Sequence, residues 1–153
     1  MEIALLRPQI PQNTGSIART CAGTKTKLHV IGPTPFEITE KNVKRAGLDY
    51  WHLVDLEEHN NWGDFMKAST GKRIIGIETT GTQDYYDFEF RPEDIILFGG
   101  EVTGIDCSAS SNCDAILKIP IEPNTVRSLN LSNCVSIVLF EAIRQTRKTV
   151  QSN

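Results

Sequence analysis

Apolar residues along this chain alternate between short continuous runs and stretches with helical spacing. Continuous apolar runs predict strands covered on both faces, because successive side chains of a strand point to opposite sides. Strands are predicted at residues 2–6, 28–31, 52–54, 73–77, 94–98 and 115–119. Helices are predicted from Asn13 to Gly23, over 39–46 and 60–68, and from Ser132 to about residue 148, with Asn13 and Ser132 as N-caps.

This alternation predicts one α/β domain over residues 1–153, with a parallel sheet flanked by helices. Ligands of open α/β sheets bind beyond the carboxyl ends of the strands. The segments at those ends are 8–13, 78–82, 99–104 and 120–130, and all are rich in Gly, Pro, Asn, Thr and Ser. The last is about ten residues long, where two to six is usual, which favours a functional loop.

Composition narrows the class of protein. Hydrophobic residues make up 39% and charged residues 23%, as in ordinary globular chains, and no apolar run is long enough to span a bilayer. The N-terminus does not resemble a secretory signal, so a cytoplasmic location is expected. The four cysteines form no CxxC pair and the three histidines are scattered, which predicts reduced thiols and no metal site: Cys21, Cys107, Cys113, Cys134, His29, His52 and His59.

The net charge of −3 is unusual for a protein that binds nucleic acid. Nucleic-acid binding would have to rely on local clusters of basic residues. Two such clusters occur in the sequence, one in the first third and one near the end: Lys25, Lys27, Lys41, Lys44 and Arg45, then Arg144, Arg147 and Lys148. Clusters of this size also occur on ordinary solvated surfaces.

The first motif is NTGSIAR at residues 13–19. One interpretation is a capped helix that carries a surface arginine. The alternative uses the same geometry for binding, because a helix N-terminus favours an anion and Arg19 offers a fork of donors that suits phosphate.

The second motif is LFGGEVTG at residues 97–104. A strand that ends in two glycines can form a tight turn or allow a ligand to approach the backbone. The segment matches neither the dinucleotide fingerprint nor a phosphate-binding loop. Glu101 would repel phosphate and suits a cation or a hydroxyl group.

The third motif is the polar loop IPIEPNTVRSLNLSN at 119–133, followed by CVSIVLFEAI at 134–143. A helix that is apolar around most of its circumference must be buried on more than one side. In so small a chain, one of those sides could face another subunit.

In order and spacing, the three motifs resemble those of the SPOUT superfamily of RNA ribose 2'-O-methyltransferases. The sequence is most similar to the minimal branch of that superfamily on two grounds. It contains RAGLDY at residues 45–50, and no added RNA-binding domain is expected. The resemblance implies S-adenosyl-L-methionine as cofactor. It implies the anticodon stem-loop of tRNA as partner, with wobble nucleotide 34 (cytidine or modified uridine) of leucine tRNAs as target. Another tRNA or rRNA position is the alternative.

The resemblance also implies a deep trefoil knot in the C-terminal part, which includes the 120–130 loop, although knots are rare in general. It implies a homodimer formed through the first and last helices, with Arg19 of one subunit near the cofactor of the other. No metal and no membrane are implied. Two departures from the family pattern are Phe140, where Tyr is common, and Gly100, where Pro is frequent.

Site residues carry over by position. The implied catalytic set is Asn13, Arg19, Glu101, Ser128 and Asn130. The implied cofactor-binding set is Ile77, Glu78, Thr79, Phe98, Gly99, Gly100, Glu101, Gly104, Ile119, Ile121, Ser128 and Leu129. Arginine normally stays protonated, so Arg19 is expected to orient the ribose and phosphate and to stabilise oxyanion charge.

Two other functions fit the same predicted fold. One is a flavodoxin-like nucleotide-binding domain without methyl transfer. The other is a non-catalytic RNA-binding protein. The bound cofactor distinguishes the first, and methyl incorporation into tRNA distinguishes the second.

Overall fold

The computed structural model describes residues 1–43 and 50–151. Within them, seven parallel strands form one sheet in the order β3-β2-β1-β6-β4-β7-β5. The strands are β1 (Glu2–Leu6), β2 (Lys27–Ile31), β3 (Leu56–His59), β4 (Ile74–Ile77), β5 (Gln83–Asp84), β6 (Ile95–Gly99) and β7 (Ala115–Lys118). The helices are α1 (Pro11–Thr24), α2 (Glu40–Val43), α3 (Trp62–Ala68), α4 (Cys107–Ser110) and α5 (Leu131–Gln151). The predicted parallel α/β architecture is confirmed.

Helices cover both faces of the sheet. Ile3 and Leu5 of β1 point to one face, where they pack with the buried residues of α1 and α5. Ala4 and Leu6 point to the other face, where they join α4 and Phe65 of α3. The alternation of side chains along each strand therefore fills two cores, which explains why the central strands are apolar throughout.

Both long helices begin differently from the prediction. Helix α1 begins at Pro11, and its N-cap is the extended residue Ile10 rather than Asn13. Proline suits this first position because its missing N–H would be unpaired there in any case. At α5, the Asn130 side chain accepts hydrogen bonds from both the N–H and the hydroxyl of Ser132, so Asn130 takes the capping role predicted for Ser132.

The strand predicted at 52–54 is wrong. Residues Trp51–Leu53 form a 3₁₀ helix, and the strand lies further along at Leu56–His59. The strand was not recognised because Glu57 and Glu58 interrupt the apolar pattern. Charged residues are tolerated here because β3 is an edge strand. The short elements β5 and α4 were not predicted. The helix predicted at 39–46 lies partly outside the described residues.

Helix α5 buries one stripe of its surface. Val135, Val138, Leu139 and Ala142 are fully buried at the spacing of one helix face. Phe140 lies off that stripe and is 57% exposed. The sequence predicted that this helix is buried on more than one side. The described part of the chain covers only one side of α5. Within residues 1–43 and 50–151, no helix has the length and apolarity needed to cross a membrane.

Candidate active site

A cavity of about 590 Å³ opens at the carboxyl ends of the strands, a volume in the usual range for small-molecule sites. It lies between the segments that follow β1, β4, β6 and β7. These are the four segments that the sequence singled out. They come together because all the strands are parallel and their carboxyl ends share one edge.

All twelve residues assigned to the cofactor line this cavity: Ile77, Glu78, Thr79, Phe98, Gly99, Gly100, Glu101, Gly104, Ile119, Ile121, Ser128 and Leu129. Of the catalytic set, Asn13, Glu101, Ser128 and Asn130 also line it. Arg19 does not. Six further residues line the cavity and were not predicted, because they lie next to motif residues but carry no signal of their own: Ile10, Val102, Thr103, Arg127, Leu131 and Cys134.

Three polar side chains connect the motifs across the cavity wall. The Asn13 amide nitrogen donates to Oε1 of Glu101 at 2.9 Å. The Asn130 amide nitrogen donates to Oδ1 of Asn13 at 3.0 Å. Asn13 therefore uses both ends of its amide, one as donor and one as acceptor. An aspartate could not do so, because an ionised carboxylate only accepts.

Both ends of this chain of hydrogen bonds are fixed to the backbone. The N–H of Gln9 donates to the second oxygen of Glu101 at 2.7 Å, and the N–H of Val102 donates to the Gln9 side chain at 2.9 Å. At the other end, Oδ1 of Asn130 accepts from Ser132 at the start of α5. The beginnings of the first and last helices are thus fixed to the loop after β6. Gln9 was not identified from the sequence.

The glycines at the end of β6 and in the turn that follows it pack against the protein itself. A Cβ added to Gly99 would overlap the backbone of Gly104, and one on Gly100 would lie 2.5 Å from the carbonyl oxygen of Arg7. Gly104 has φ +62° and donates its N–H to Gly100 at 2.9 Å, which closes the turn. The close approach expected for a ligand is therefore made by the chain's own loop.

Gly99→Ala is expected to destabilise the protein by about 1–3 kcal/mol, because the added methyl group overlaps backbone that cannot rotate away. Gly23→Ala is the matched control. Gly23 lies in α1 with nothing within 4 Å of an added Cβ, and alanine in a helix is favoured over glycine by up to about 1 kcal/mol. Urea denaturation of both variants measures the difference. Equal midpoints would contradict the packing argument.

An ion pair holds the far end of the same loop. Arg7, which follows β1 at φ 49°, pairs with Asp106, and Asp106 caps α4 by accepting from the N–H of Ala109. The hydrogen bond from Ala109, together with the Arg7 guanidinium, holds the pKa of the Asp106 carboxyl below its ordinary value. Next to the loop, the Glu78 carboxylate accepts from the N–H of Ile105. Inside the cavity, burial raises the pKa of the Cys134 thiol.

Arg19 is exposed on α1, six positions after Asn13. That separation is about 9 Å along the helix axis and roughly 120° around it. Arg19 therefore faces away from the cavity that Asn13 lines. Within residues 1–43 and 50–151 it has no hydrogen-bond or salt-bridge partner.

Two residues of the expected basic clusters are paired with carboxylates. Lys27 lies 2.7 Å from Glu57, and Arg144 lies 2.7 Å from Glu141. Lys44 and Arg45 lie outside the described residues, and so does the side chain of Lys148. Lys25, Lys41 and Arg147 are exposed. The cavity itself contains Arg127.

The histidines are scattered in sequence, but two of them meet in the fold. His29 Nδ1 lies 3.0 Å from His59 Nε2, since β2 and β3 are neighbours in the sheet. The sequence argument against a metal site assumed that these residues stay apart, and for His29 and His59 that assumption is wrong. The four cysteines are free thiols.

A parallel α/β fold with its cavity at the carboxyl edge defines a class of proteins that bind small molecules at that edge. Residues 1–140 match the SpoU rRNA Methylase family. The chain belongs to that family. The flavodoxin-like alternative also disagrees with the strand order, because that fold has the order 2-1-3-4-5.

Similar proteins cover nearly the whole chain. The tRNA (cytidine(34)-2'-O)-methyltransferase of Saccharophagus degradans is 39% identical over 145 residues, which are 94% of this chain and 94% of that protein. The protein of the same name from Methylovorus glucosotrophus is 38% identical over 146 residues, again 94% of each chain.

Solved structures of RNA methyltransferases are also similar to this chain. A structure described as giving insight into 2-OH methylation of C/U34 on tRNA has a TM-score of 0.87 at 40% identity, over 94% of this chain and 89% of that one. The SpoU methyltransferase AviRb from Streptomyces viridochromogenes, in complex with the cofactor AdoMet, has a TM-score of 0.81 at 25% identity. That match covers 95% of this chain and 57% of AviRb.

Proposed function

We propose that this chain transfers a methyl group from S-adenosyl-L-methionine to the ribose 2'-hydroxyl of nucleotide 34 of tRNA. Family membership and the names of its relatives support the reaction class and the nucleotide. The observation that carries the proposal is the cavity in which Asn13, Glu101 and Asn130 are joined by hydrogen bonds.

The cavity fits this cofactor better than a phosphorylated nucleotide. Two carboxylates, Glu78 and Glu101, and one guanidinium, Arg127, line it, so its charged residues are negative in sum and disfavour phosphate. S-adenosylmethionine carries a positive sulfonium and ribose hydroxyls but no phosphate, so the charges are complementary. Ile77, Phe98 and Ile119 supply apolar walls for an adenine ring. The twelve assigned residues would hold the cofactor here.

The bound cofactor supplies an activated methyl group, so the protein has to position the acceptor hydroxyl and stabilise charge. Ser128 and Asn130 are exposed at the mouth of the cavity and would position the ribose. Arg19 would orient the ribose and its phosphate and stabilise developing oxyanion charge with its fork of donors.

We propose that two chains form a homodimer through α1 and α5. Arg19 supports this arrangement, because it faces away from its own cavity and is free to reach the cavity of a partner. The exposed ring of Phe140 on α5 supports it as well, since a large exposed apolar side chain suits an interface. Phenylalanine at this position offers the interface no hydroxyl group.

The deep trefoil knot is part of the proposal. Residue Gly81, in the segment after β4, runs so close to β7 that an added Cβ would overlap the Leu117 backbone. The N–H groups of Glu78 and Thr82 donate to carbonyl groups of β7 on either side of this contact. A chain wound tightly around β7 is compatible with a knot completed by residues 120–130.

The proposed biological role is the one that the resemblance to the family implies. The substrate would be the anticodon stem-loop of leucine tRNAs, with cytidine or modified uridine as nucleotide 34. Residues 1–153 would act as a single domain in the cytoplasm, where tRNA is found, without a metal in the reaction. The exposed cations Lys25, Lys41 and Arg127 would contribute phosphate contacts to a chain of net charge −3.

Incubation of the protein with bulk tRNA and S-adenosylmethionine, followed by nucleoside mass spectrometry, tests the function. We expect 2'-O-methylcytidine and a 2'-O-methylated uridine derivative, and nuclease mapping should place both at nucleotide 34. Methylation elsewhere would support the alternative of another tRNA or rRNA position. RNA binding without methyl transfer would favour a non-catalytic protein.

Thermal unfolding with S-adenosylhomocysteine provides an independent test of the cofactor. A ligand that binds only the folded state raises the free energy of unfolding by mass action, by about 2.7 kcal/mol at one hundred times its Kd, and the melting temperature rises with it. We expect a rise with this product and none with flavin mononucleotide. The reverse pattern would overturn the assignment of the cavity.

A further inference from the structure

A second cluster of chemically active side chains lies away from the cavity, between β2 and β3. His29 on β2 is paired in register with Glu57 on β3, and His59 follows two residues later. Alternate residues of a strand share a face, so Glu57 and His59 point to the same side. This is the face covered by α3, since Phe65 packs edge-on against both imidazole rings. Helices α1 and α5 lie on the opposite face.

The three side chains bring ligand atoms together. His29 Nδ1 and His59 Nε2 are 3.0 Å apart, and Glu57 oxygens lie 3.9 Å from the first and 3.8 Å from the second. Ligands at 2.0–2.2 Å around a tetrahedral zinc ion lie about 3.3–3.6 Å from one another. Small rotations of these side chains would therefore place all three around one ion.

The surroundings prepare His29 for this role. Its Nε2 lies 2.9 Å from Oε2 of Glu2. A carboxylate in that position favours the tautomer with its proton on Nε2, whose Nδ1 lone pair faces His59 and Glu57. A carboxylate that holds the far nitrogen of a histidine is the usual outer partner of a zinc ligand. Lys72 binds the other oxygen of Glu2 at 2.6 Å and keeps this carboxylate in place.

Glu57 is the most exposed of the three side chains in the cluster. His29 is 3% exposed and His59 is 7% exposed, whereas the Glu57 side chain is 38% exposed. Glu57 is held through Oε2 by Lys27 at 2.7 Å, while Oε1 is the oxygen nearer His59. An ion could enter past Glu57 and keep a water molecule as its fourth ligand.

We propose that His29, Glu57 and His59 form a zinc site that joins the edge strand β3 to β2. Two imidazoles and one carboxylate are a zinc donor set. The site is independent of the proposed methyl transfer. A bound ion would tie the charged edge strand β3 to β2 through three protein ligands, with one position open to water.

Zinc titration of the full-length, tag-free protein tests the site. A Cys107→Ser background removes the one exposed thiol among the described residues. We expect one zinc ion per chain by calorimetry, a higher melting temperature with zinc, and the intense visible bands of tetrahedral cobalt when Co²⁺ replaces it.

Two variants of β3 give a matched comparison. Glu57→Gln removes a ligand and should weaken zinc binding by more than the roughly 10- to 100-fold that loss of an outer partner costs. Glu58→Gln is the control, because Glu58 is exposed and points to the other side of the strand. Glu2→Gln should weaken binding by about 10- to 100-fold.

His59→Gln should abolish the cobalt bands, and His52→Gln, which alters the remaining histidine, should retain them. Stoichiometric binding that Glu57→Gln and His59→Gln leave unchanged would overturn the proposal, because the ion would then lie elsewhere. Failure of the parent protein to bind zinc would also overturn it, and would leave His29 and His59 as a buried hydrogen-bonded pair.

Discussion

Arg19→Ala is expected to lower kcat/KM for tRNA methylation by about 100- to 1000-fold, the usual cost of losing one preorganised donor to developing charge. The free energy of unfolding should change by less than about 0.5 kcal/mol, because Arg19 is exposed and has no partner within the described chain. Methyl incorporation and urea denaturation measure the two effects. Arg91→Ala is the matched control, since Arg91 is exposed at the opposite edge of the sheet.

Arg19→Lys separates geometry from charge. Lysine keeps the positive charge but loses the planar fork that binds phosphate at two points, so we expect a loss of at least about tenfold. If Arg19→Lys retained near-normal turnover while binding tRNA normally, the argument from fork geometry would fail.

Mixed dimers test where Arg19 acts. If it serves the partner's cavity, Arg19→Ala and Asn130→Ala chains refolded together will form mixed dimers in which one of the two sites is intact. Random pairing should then restore about a quarter of wild-type activity, although each variant alone is nearly inactive. Lack of recovery, with mixed dimers present by mass spectrometry, would place Arg19 at its own cavity or outside catalysis.

Glu101→Gln is expected to reduce kcat/KM by about 100-fold and stability by about 1.5–3 kcal/mol. The Glu101 carboxylate accepts from both Asn13 and the N–H of Gln9. A glutamine would face one of these donors with its own NH₂ group. The loop after β6 should then move away from α1, and the cavity should lose its shape. Glu93→Gln, at an exposed position before β6, is the control.

Asn13→Asp tests the same contact from the other side. It places a second carboxylate at the position from which Asn13 donates to Glu101 over 2.9 Å, so two negative charges would face each other. We expect a larger loss of stability than for Asn13→Ala, which only removes the donor. Equal stability of the two variants would mean that the hydrogen bond between Asn13 and Glu101 is not maintained in solution.

The sheet and its carboxyl edge were predictable because the signals are local. The buried strands β1, β4 and β6 are continuous apolar runs, and the segments that follow them are rich in Gly, Pro, Asn, Thr and Ser. The edge strand β3 was misplaced because its exposure permits Glu57 and Glu58, which break the apolar pattern. The residues that line the cavity were assigned from the resemblance of the three motifs to those of the family.

The sequence did not reveal the hydrogen bonds between residues that are far apart in the chain. Asn13 is a reasonable helix cap by itself, and only the fold shows that its amide joins Glu101 to Asn130. Gln9 has no motif signal, yet its N–H donates to Glu101 and its side chain accepts from the N–H of Val102. His29 and His59 are 30 residues apart, and their contact depends on which strands become neighbours.

The hydrogen bond between Asn13 and Asn130 spans 117 positions of the chain. During synthesis, the cavity cannot form while the residues of α5 are still inside the ribosome. One wall of it, from Ile119 to Cys134, is made more than 100 positions after Asn13. A chain that stops before α5 therefore cannot form the cavity, and any activity that depends on it begins only after α5 has docked.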